Sequence, residues 1–420
     1  IVLVTIGLTL GAFIASLSEA VVSTVTDTIA NDLKSFGALT WIAGGYMLSL
    51  VAFCPLFGKL SDIFDRKPVM VFSVIVFALG SLGCALASTM PMLIGFRILS
   101  GIGGSGLLSL SYIMVSDIIP LESRSSYLSL VSTVFALSNI LGPIIGGIIA
   151  EYSWRGIFYL QIPPCIVLAI IVVFVLDLPK SEGNMLQRLK RVDFLGCITL
   201  TVSVVLLVLA TNWGGKEYEW HSVLIITLFS MSLVIFIIFI IIEWKFAYEP
   251  ILPGRIFNRD IIFVNAAHFF AGAIRLVMVF YFPIYFQNVK GLTPSQSGYQ
   301  LIPFILSISI FSVVSGYLAQ LVRSIRGVMW FGSVISLIGV CLFAFLPKIE
   351  STPVEMVVVV VNGMGLGLYL QLITLTCQVS VPQEDVAIST GFSGFSTNIG
   401  GVIGIAVIGS IFDNTLVDQI

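Results

Sequence analysis

The sequence predicts an all-α integral membrane protein, and its composition and its hydrophobic pattern are the two observations behind this fold class. Hydrophobic residues make up 58% of the 420 residues and charged residues only 10%, with a mean hydropathy of +1.09. Soluble proteins carry about 25% charged residues. The apolar residues also cluster into thirteen segments, most of them long enough to span a membrane as a helix.

The thirteen predicted spans are separated by polar stretches, and small residues recur within them. The chain has 38 glycines, which let helices approach closely in a membrane bundle. The first span begins without the pattern of a signal peptide, so we expect the natural chain to extend further. The spans cover residues 1–28, 40–61, 69–88, 91–117, 125–150, 155–177, 192–212, 221–243, 260–287, 295–321, 327–346, 354–379 and 386–412.

The distribution of Lys and Arg predicts the side of the membrane that each loop faces. With a cytoplasmic N-terminus, thirteen of these residues fall in inner loops or at inner span ends, and five fall in outer loops. Basic residues favour the cytoplasmic side. We therefore expect the N-terminus of this multi-pass protein to lie in the cytoplasm.

The first span carries an acid, Glu19, within an otherwise apolar segment. A charge in hydrocarbon is costly, so such a residue faces a partner or a water-filled cavity. Small and polar side chains share one helix face with it, and we interpret this polar stripe as one wall of a solvent path. The stripe consists of Thr5, Thr9, Ala12, Ser16, Glu19, Ser23 and Thr26.

Span nine repeats this pattern, since Asn265, His268, Gly272 and Arg275 also share one helix face. At about 1.5 Å rise per residue, Glu19, Arg97 and Arg275 fall in the outer half of the membrane. The candidate residues for proton coupling or for a substrate cavity are Glu19, Asp27, Arg97, His268 and Arg275.

These charges suggest a way to couple a proton to a conformational change. Our hypothesis is that Glu19 pairs with Arg275 or Arg97 in one state and takes up a proton when the pair opens. Other roles are also open: Arg275 could be a static packing pair, and His268 a hydrogen-bonded polar residue rather than a proton relay. Asp27 could simply be solvated at the outer surface.

The inner loop after span two has the sequence GKLSDIFDRK, Gly58 to Lys67. It resembles the G-x-L-a-D-r-x-G-r-k signature of the major facilitator superfamily, except that Asp65 stands where the family usually has Gly. The resemblance implies a gate that clamps the two halves together on the cytoplasmic side in the outward-open state. The gate residues would be Gly58, Asp62, Arg66, Lys67 and Arg124.

Spans four and five carry two further motifs of the same superfamily. GFRILSGIGGSG in span four is similar to the R-x-x-q-G-x-g motif of drug:proton antiporters, with Ser100 in place of the usual Gln.

Span five carries a proline next to several glycines. Proline kinks a helix and paired glycines permit close approach of another helix, as a rocking joint or a plain packing kink requires. The residues similar to the G-P-x-x-G-G antiporter motif are Gly142, Pro143, Gly146 and Gly147.

The stretches WGGKEYEW, YFPIYFQNVKGLTPSQSG and GGVIGIAVIGSIF are similar to fungal fourteen-span drug:proton antiporters. The resemblance implies a major facilitator fold with two pseudo-symmetric six-helix bundles, two extra helices between them, and a last span missing from this chain. The domains would be 1–177 for the N-terminal bundle, 178–259 for the inner linkers and inserted helices, and 260–420 for the C-terminal bundle with five visible spans.

The family resemblance implies proton-coupled antiport by alternating access. Members export drug-like organic molecules across the plasma membrane or move basic amino acids into the fungal vacuole. Relatives usually read L-D-x-T in the first span, where this chain has Leu17, Ser18, Glu19 and Ala20, so its acid comes one residue late. This shift keeps an alternative open, a transporter-like protein with a sensing or organising role and little flux.

Other function classes find no support in the sequence. There is no G-x-x-x-x-G-K-[ST] fingerprint of an ATP-driven pump, no catalytic constellation of an enzyme, no metal-ligand spacing and no basic tract for nucleic acid. We expect a monomer in the lipid bilayer whose partners are protons and a small-molecule substrate. It would need no cofactor, because the proton gradient drives it.

Overall fold

The structure, a computed structural model, confirms the all-α fold class. It describes residues 2–22, 25–34, 39–150, 152–176, 193–214, 218–246, 250–291, 294–343, 345 and 352–417. Fifteen α-helices lie within these residues. The same residues contain no β-strand, and one isolated bridge joins Gly214 to Tyr218.

Eight of these helices lie before residue 177. They are α1 (Val2–Val22), α2 (Thr26–Asp32), α3 (Leu39–Phe64), α4 (Arg66–Leu86), α5 (Met90–Ile118), α6 (Leu121–Ala150), α7 (Arg155–Leu160) and α8 (Ile162–Phe174).

Seven of the described helices lie after residue 193. They are α9 (Phe194–Trp213), α10 (Val223–Lys245), α11 (Arg259–Asn288), α12 (Pro294–Val322), α13 (Ile325–Phe343), α14 (Thr352–Val379) and α15 (Val386–Val417).

Every predicted span coincides with one of these helices or with a consecutive pair. Twelve helical segments of the described part are long and apolar enough to cross a membrane. The remaining predicted span, 125–150, coincides with α6, which is not among the twelve. Several side chains of α6 lie outside the described residues.

Two predicted spans are not single helices. The first was expected to run to residue 28, but α1 ends at Val22 and α2 begins at Thr26. The span 155–177 is broken at Gln161, between α7 and α8. Pro163 and Pro164 follow this break, and since proline has no N–H for the preceding turn, a helix tends to begin rather than continue there.

The chain packs into two compact units. Unit 1 consists of Ile1–Ile118, Leu137–Phe257 and Glu384–Phe395, and unit 2 of Ile119–Ala136, Asn258–Gln383 and Ser396–Ile420. One apolar core of unit 1 includes Leu17, Val21 and Phe158. The core of unit 2 includes Phe282 and Phe304. The division of the chain into bundles at residues 177 and 260 stays a prediction.

The helices α9 and α10 form a hairpin within unit 1. Ser203 Oγ donates to the Ser232 carbonyl at 2.9 Å, and Ser232 Oγ donates back to the Ser203 carbonyl at 2.8 Å. At one end of the hairpin, Glu243 accepts hydrogen bonds from the backbone N–H groups of Ile251 and Leu252. Most of the remaining surface of α10 is exposed and apolar, as a lipid-facing helix requires.

Candidate transport site

Arg97 lies in the interior of unit 1 and is completely buried. Its Nε donates to the Ile42 carbonyl at 2.9 Å, and its Nη1 donates to Ser18 Oγ at 2.9 Å and to the Ser18 carbonyl at 3.3 Å. Nη2 has no hydrogen-bond partner among the described residues. These acceptors are all neutral, whereas a buried charge is stabilised best by an opposite charge.

Glu19 follows Ser18 in α1, about 100° further around the helix. Its side chain is partly buried, whereas that of Ser18 is completely buried. Glu19 is close enough to act electrostatically on Arg97 and on Tyr46. Two of the five predicted charged or titratable residues therefore lie in one region of unit 1, with Ser18 as the direct contact of Arg97.

The other residues of the polar stripe within α1 are buried in the same unit, while Ser23 and the side chain of Thr26 lie outside the described residues. Thr9 Oγ1 donates to the Ile6 carbonyl at 2.9 Å, and Ser16 Oγ donates to the Ala12 carbonyl at 2.8 Å. These hydroxyls are satisfied within their own helix. The interpretation of the stripe as a wall of a solvent path stays a prediction.

Tyr46 belongs to this site although the sequence did not single it out. Its ring lies under the guanidinium of Arg97, with 4.3 Å between Cζ and the ring centroid. Its hydroxyl donates to the Ala15 carbonyl at 2.7 Å. A tyrosine within an apolar span has many ordinary roles, so no sequence signal marked it.

The predicted G-P-x-x-G-G motif brings α6 against α1 at the turn that follows Glu19. A Cβ on Gly142 would lie 2.5 Å from the Cβ of Ala20 and 3.0 Å from the backbone N of Val21. Gly147, by contrast, has no other atom within 4 Å of such a Cβ. The side chain of Pro143 lies outside the described residues. Gly142 therefore permits close packing on α1, and Gly146 is also buried in α6.

The polar stripe of span nine lies on α11 in unit 2 and contacts α15. Asn265 Oδ1 accepts from Ser396 Oγ at 3.1 Å, and His268 Nδ1 lies 3.1 Å from Thr397 Oγ1. His268 is buried, and its Nε2 has no hydrogen-bond partner among the described residues.

Arg275, further along the same face of α11, is partly buried in unit 2. Its Cζ lies 5.7 Å from the ring centroid of Phe135. A role of Arg275 or His268 in a cavity stays a prediction.

The signature motif after span two forms an ionic cluster at the ends of α3, α4 and α5. Arg66 forms an ion pair with Asp62, and its Nε donates to Asp117 Oδ2 at 2.9 Å. Its Nη1 also donates to Ser61 Oγ at 3.1 Å. One guanidinium thus binds two carboxylates, each of whose side chains is 20% exposed. Asp117 was not predicted, although it is an acid at the inner end of predicted span four.

The other motif residues have distinct surroundings. Gly58 approaches the start of α15, since a Cβ there would lie 3.3 Å from the Ala387 carbonyl oxygen within unit 1. Lys67 Nζ donates to the carbonyls of Val173 and Leu176 at 2.8 and 2.9 Å, at the C-terminal end of α8, where a cation is favoured. Arg124 is buried on α6 and belongs to unit 2.

Asp65 departs from the family signature, which usually has glycine here, and its backbone conformation is one that suits glycine. Its φ is 70° and its ψ 151°, in a region that glycine adopts without the steric penalty of a Cβ. The backbone between α3 and α4 therefore adopts a conformation that favours glycine, although the residue there is an aspartate.

A second ionic cluster of unit 1 involves α2 and α7. Asp32 Oδ2 accepts from Trp154 Nε1 at 3.0 Å and from Arg155 Nη1 at 2.8 Å. These two hydrogen bonds hold the pKa of Asp32 below its usual range. Asp27 lies in α2, but its side chain lies outside the described residues.

Comparison with known proteins gives relatives along almost the whole chain. The chain is 31% identical to Multidrug resistance protein 3 of Bacillus subtilis (strain 168), over 99% of this chain and 80% of the relative. It is also 31% identical to Multidrug resistance protein fnx1 of Schizosaccharomyces pombe, covering 94% of this chain and 76% of the relative.

Solved structures of known transporters share the fold. The proton:xylose symporter XylE has a TM-score of 0.65 at 14% identity, covering 99% of this chain and 89% of that chain. The human organic anion transporter MFSD10 has a TM-score of 0.65 at 15% identity, covering 98% and 93%. Residues 8–405 match the family described as Major Facilitator Superfamily. The chain, a multi-pass membrane protein, therefore belongs to the Major Facilitator Superfamily.

Proposed function

We propose that this protein is a proton-coupled antiporter that exports drug-like organic molecules by alternating access, driven by the proton gradient without a cofactor. The observation that carries this proposal is the buried guanidinium of Arg97, held by neutral acceptors beside the acid of Glu19. Relatives named as multidrug resistance proteins support the substrate class.

The coupling step would exchange the partners of Arg97. In one state Glu19 is ionised and pairs with Arg97 or, alternatively, with Arg275. In another state the pair opens and Glu19 takes up a proton, because a carboxyl group without a nearby cation holds its proton more tightly in a low-dielectric interior. His268 and Asp27 are candidates for further proton or substrate contacts.

The motif residues would connect this site to the conformational change. Gly58, Asp62, Arg66, Lys67 and Arg124 would form the cytoplasmic gate, which the ionic cluster around Arg66 supports. Gly142, with Pro143, Gly146 and Gly147, would form the joint between α6 and α1, which the close packing at Ala20 supports.

The subfamily and the location belong to the same proposal. We infer a fourteen-span drug:proton antiporter of the fungal type, with two six-helix bundles and a cytoplasmic N-terminus. It would act as a monomer in the plasma membrane or the vacuolar membrane. The stretches shared with that subfamily and the distribution of Lys and Arg support this assignment.

Transport of basic amino acids is a second candidate, and the partly buried acid Glu19 favours it because a cation needs such a partner. A sensing role with little flux is the alternative from another class, motivated by Ser18 at the usual position of the acid.

Purified protein in liposomes with an imposed pH gradient separates these functions. We expect uphill transport and counterflow of a cationic dye. Counterflow of lysine and arginine in its place would indicate the vacuolar type, and binding without flux would reject transport.

A further inference from the structure

Tyr46 on α3 contacts both elements that the coupling step requires. Tyr46 and Arg97 are completely buried, and the ring of Tyr46 lies 4.3 Å from the guanidinium carbon of Arg97 on α5. The hydroxyl at the other end of the same side chain donates to the Ala15 carbonyl of α1 at 2.7 Å. One rigid side chain thus connects the charge on α5 to the helix that carries Glu19.

The carbonyl that Tyr46 binds belongs to the turn of Glu19. In a regular α-helix, the Ala15 carbonyl also accepts the backbone N–H of Glu19, four residues later. The hydroxyl of Tyr46 is therefore the second donor on this carbonyl. A rotation or shift of α1 at Glu19 would strain or break this hydrogen bond and disturb the ring under Arg97.

The packing of α5 is adapted to this side chain. Gly101 and Gly104 lie four and seven residues after Arg97, on the same helix face. A Cβ on Gly101 would lie 2.5 Å from the Tyr46 carbonyl oxygen, and a Cβ on Gly104 would lie 2.5 Å from the Tyr46 hydroxyl oxygen. Gly104 leaves room for the hydroxyl of Tyr46, and Gly101 lets α5 approach the backbone of α3 at the same residue.

The two contacts of Tyr46 can be removed one at a time, because one depends on its ring and the other on its hydroxyl. A desolvated cation over an aromatic face is stabilised by the ring, whether that ring belongs to tyrosine or to phenylalanine. The hydrogen bond to Ala15, in contrast, exists only with the hydroxyl. Tyr46→Phe therefore keeps the ring under Arg97 but removes the link from that ring to α1, leaving the direct hydrogen bonds of Arg97 to Ser18. Tyr46→Leu removes both contacts of Tyr46.

We propose that Tyr46 is a positioning residue that holds Arg97 and transmits movement of α1 to it, an inference that rests on the proposed coupling function. It makes no contact with a substrate in this role. It sets the orientation in which the Arg97 charge meets Glu19, and so the pH at which coupling is half-maximal.

The test compares uphill transport, driven by a pH gradient in liposomes, with counterflow at equal pH. Tyr46→Phe should keep counterflow but lower uphill transport about fivefold, the effect of losing one buried hydrogen bond, and should shift its pH midpoint. Tyr46→Leu should lower uphill transport about thirtyfold or more, because the ring under the cation is lost as well. Tyr159→Phe, on the exposed side of α7, is the matched control and should match the wild type.

Two outcomes overturn the inference. Tyr46→Phe could match Tyr159→Phe in uphill transport and in pH midpoint, or it could lose counterflow, uphill transport and thermal stability together, as a packing residue would. Glu19→Gln is measured alongside. If Glu19→Gln keeps its coupling, the proposed function is wrong, and a selective loss in Tyr46→Phe would still support the positioning of Arg97.

Discussion

The guanidinium of Arg97 donates a hydrogen bond from Nη1 to Ser18 Oγ at 2.9 Å, although an acid occupies the next position of the same helix. Ser18 is neutral and completely buried, and Glu19 is only partly buried. The direct side-chain contact of Arg97 is therefore neutral, and the acid stands one residue further along α1. This arrangement differs from the family pattern, in which the acid stands at the position of Ser18.

Replacing Ser18 with aspartate should give Arg97 a fixed counter-charge. The new carboxylate would lie within hydrogen-bonding reach of Nη1, and such a charged hydrogen bond is worth about 1.5–3 kcal/mol. We expect Ser18→Asp to fold normally and to lower uphill transport about tenfold or more, because breaking this pair adds to the cost of each cycle. Transport in liposomes and thermal unfolding in detergent measure the two effects. Ser18→Ala is the control, and an equal loss in both variants would contradict the electrostatic explanation.

Gly142→Ala should disturb the turn of α1 that carries Glu19. Its Cβ would lie 2.5 Å from Ala20, and relief of such an overlap costs about 1–3 kcal/mol in a packed interior. We expect a lower unfolding temperature and slower transport. Gly95→Ala on α5 is the matched control, because no atom lies within 4 Å of its added Cβ, and it should be tolerated. Wild-type stability and transport in Gly142→Ala would show that α6 does not pack on α1 as described.

Asp65→Gly should stabilise the protein. The residue has a φ of 70°, where a Cβ costs about 1–3 kcal/mol, and glycine removes this strain at an entropic cost of about 0.5–1 kcal/mol. We expect a net gain of about 1 kcal/mol, visible as a higher unfolding temperature. Asp65→Ala keeps the backbone strain and should show no such gain. A destabilised Asp65→Gly variant would mean that the aspartate side chain contributes more than the strain costs.

The cluster of Asp32 should not contribute to the pH dependence of transport between pH 5 and pH 8. A carboxyl whose folded pKa is lowered stabilises the protein above its unfolded pKa, which is about 3.8 for Asp32. This stability is lost only as the pH falls through the lower folded value, so it is constant in the working range. Asp32→Asn should therefore lower stability by less than about 1 kcal/mol, as for other exposed pairs, without changing the pH profile. A shifted transport midpoint in Asp32→Asn would place the pH sensor outside the site at Glu19.

The helices were predictable because hydrocarbon imposes a simple requirement on length and composition. The predicted span 221–243 agrees with α10, Val223–Lys245, to within two residues at each end. The break at Gln161 was missed because the apolar composition continues across it, although Pro163 and Pro164 marked it. Hydropathy averages over a window and does not register the loss of a single backbone donor.

The candidate site was predictable only in its charged residues. Glu19 and Arg97 stand out because a charge within a span needs an explanation. Ser18 and Tyr46 do not, since their contacts depend on how α1, α3 and α5 are rotated about their axes. The direct partner of Arg97 is thus a serine, which side-chain chemistry alone could not distinguish from many other hydroxyls in the chain.

The most direct test of this account is the proton coupling of Glu19→Gln in liposomes. Glutamine keeps the size of the side chain and its hydrogen bonding but cannot exchange a proton. We expect uphill transport driven by the pH gradient to be lost and counterflow at equal pH to be kept. Glu219→Gln, at an exposed position between α9 and α10, should behave as the wild type. Uphill transport at the wild-type level in Glu19→Gln would contradict the central claim that this acid carries the coupled proton.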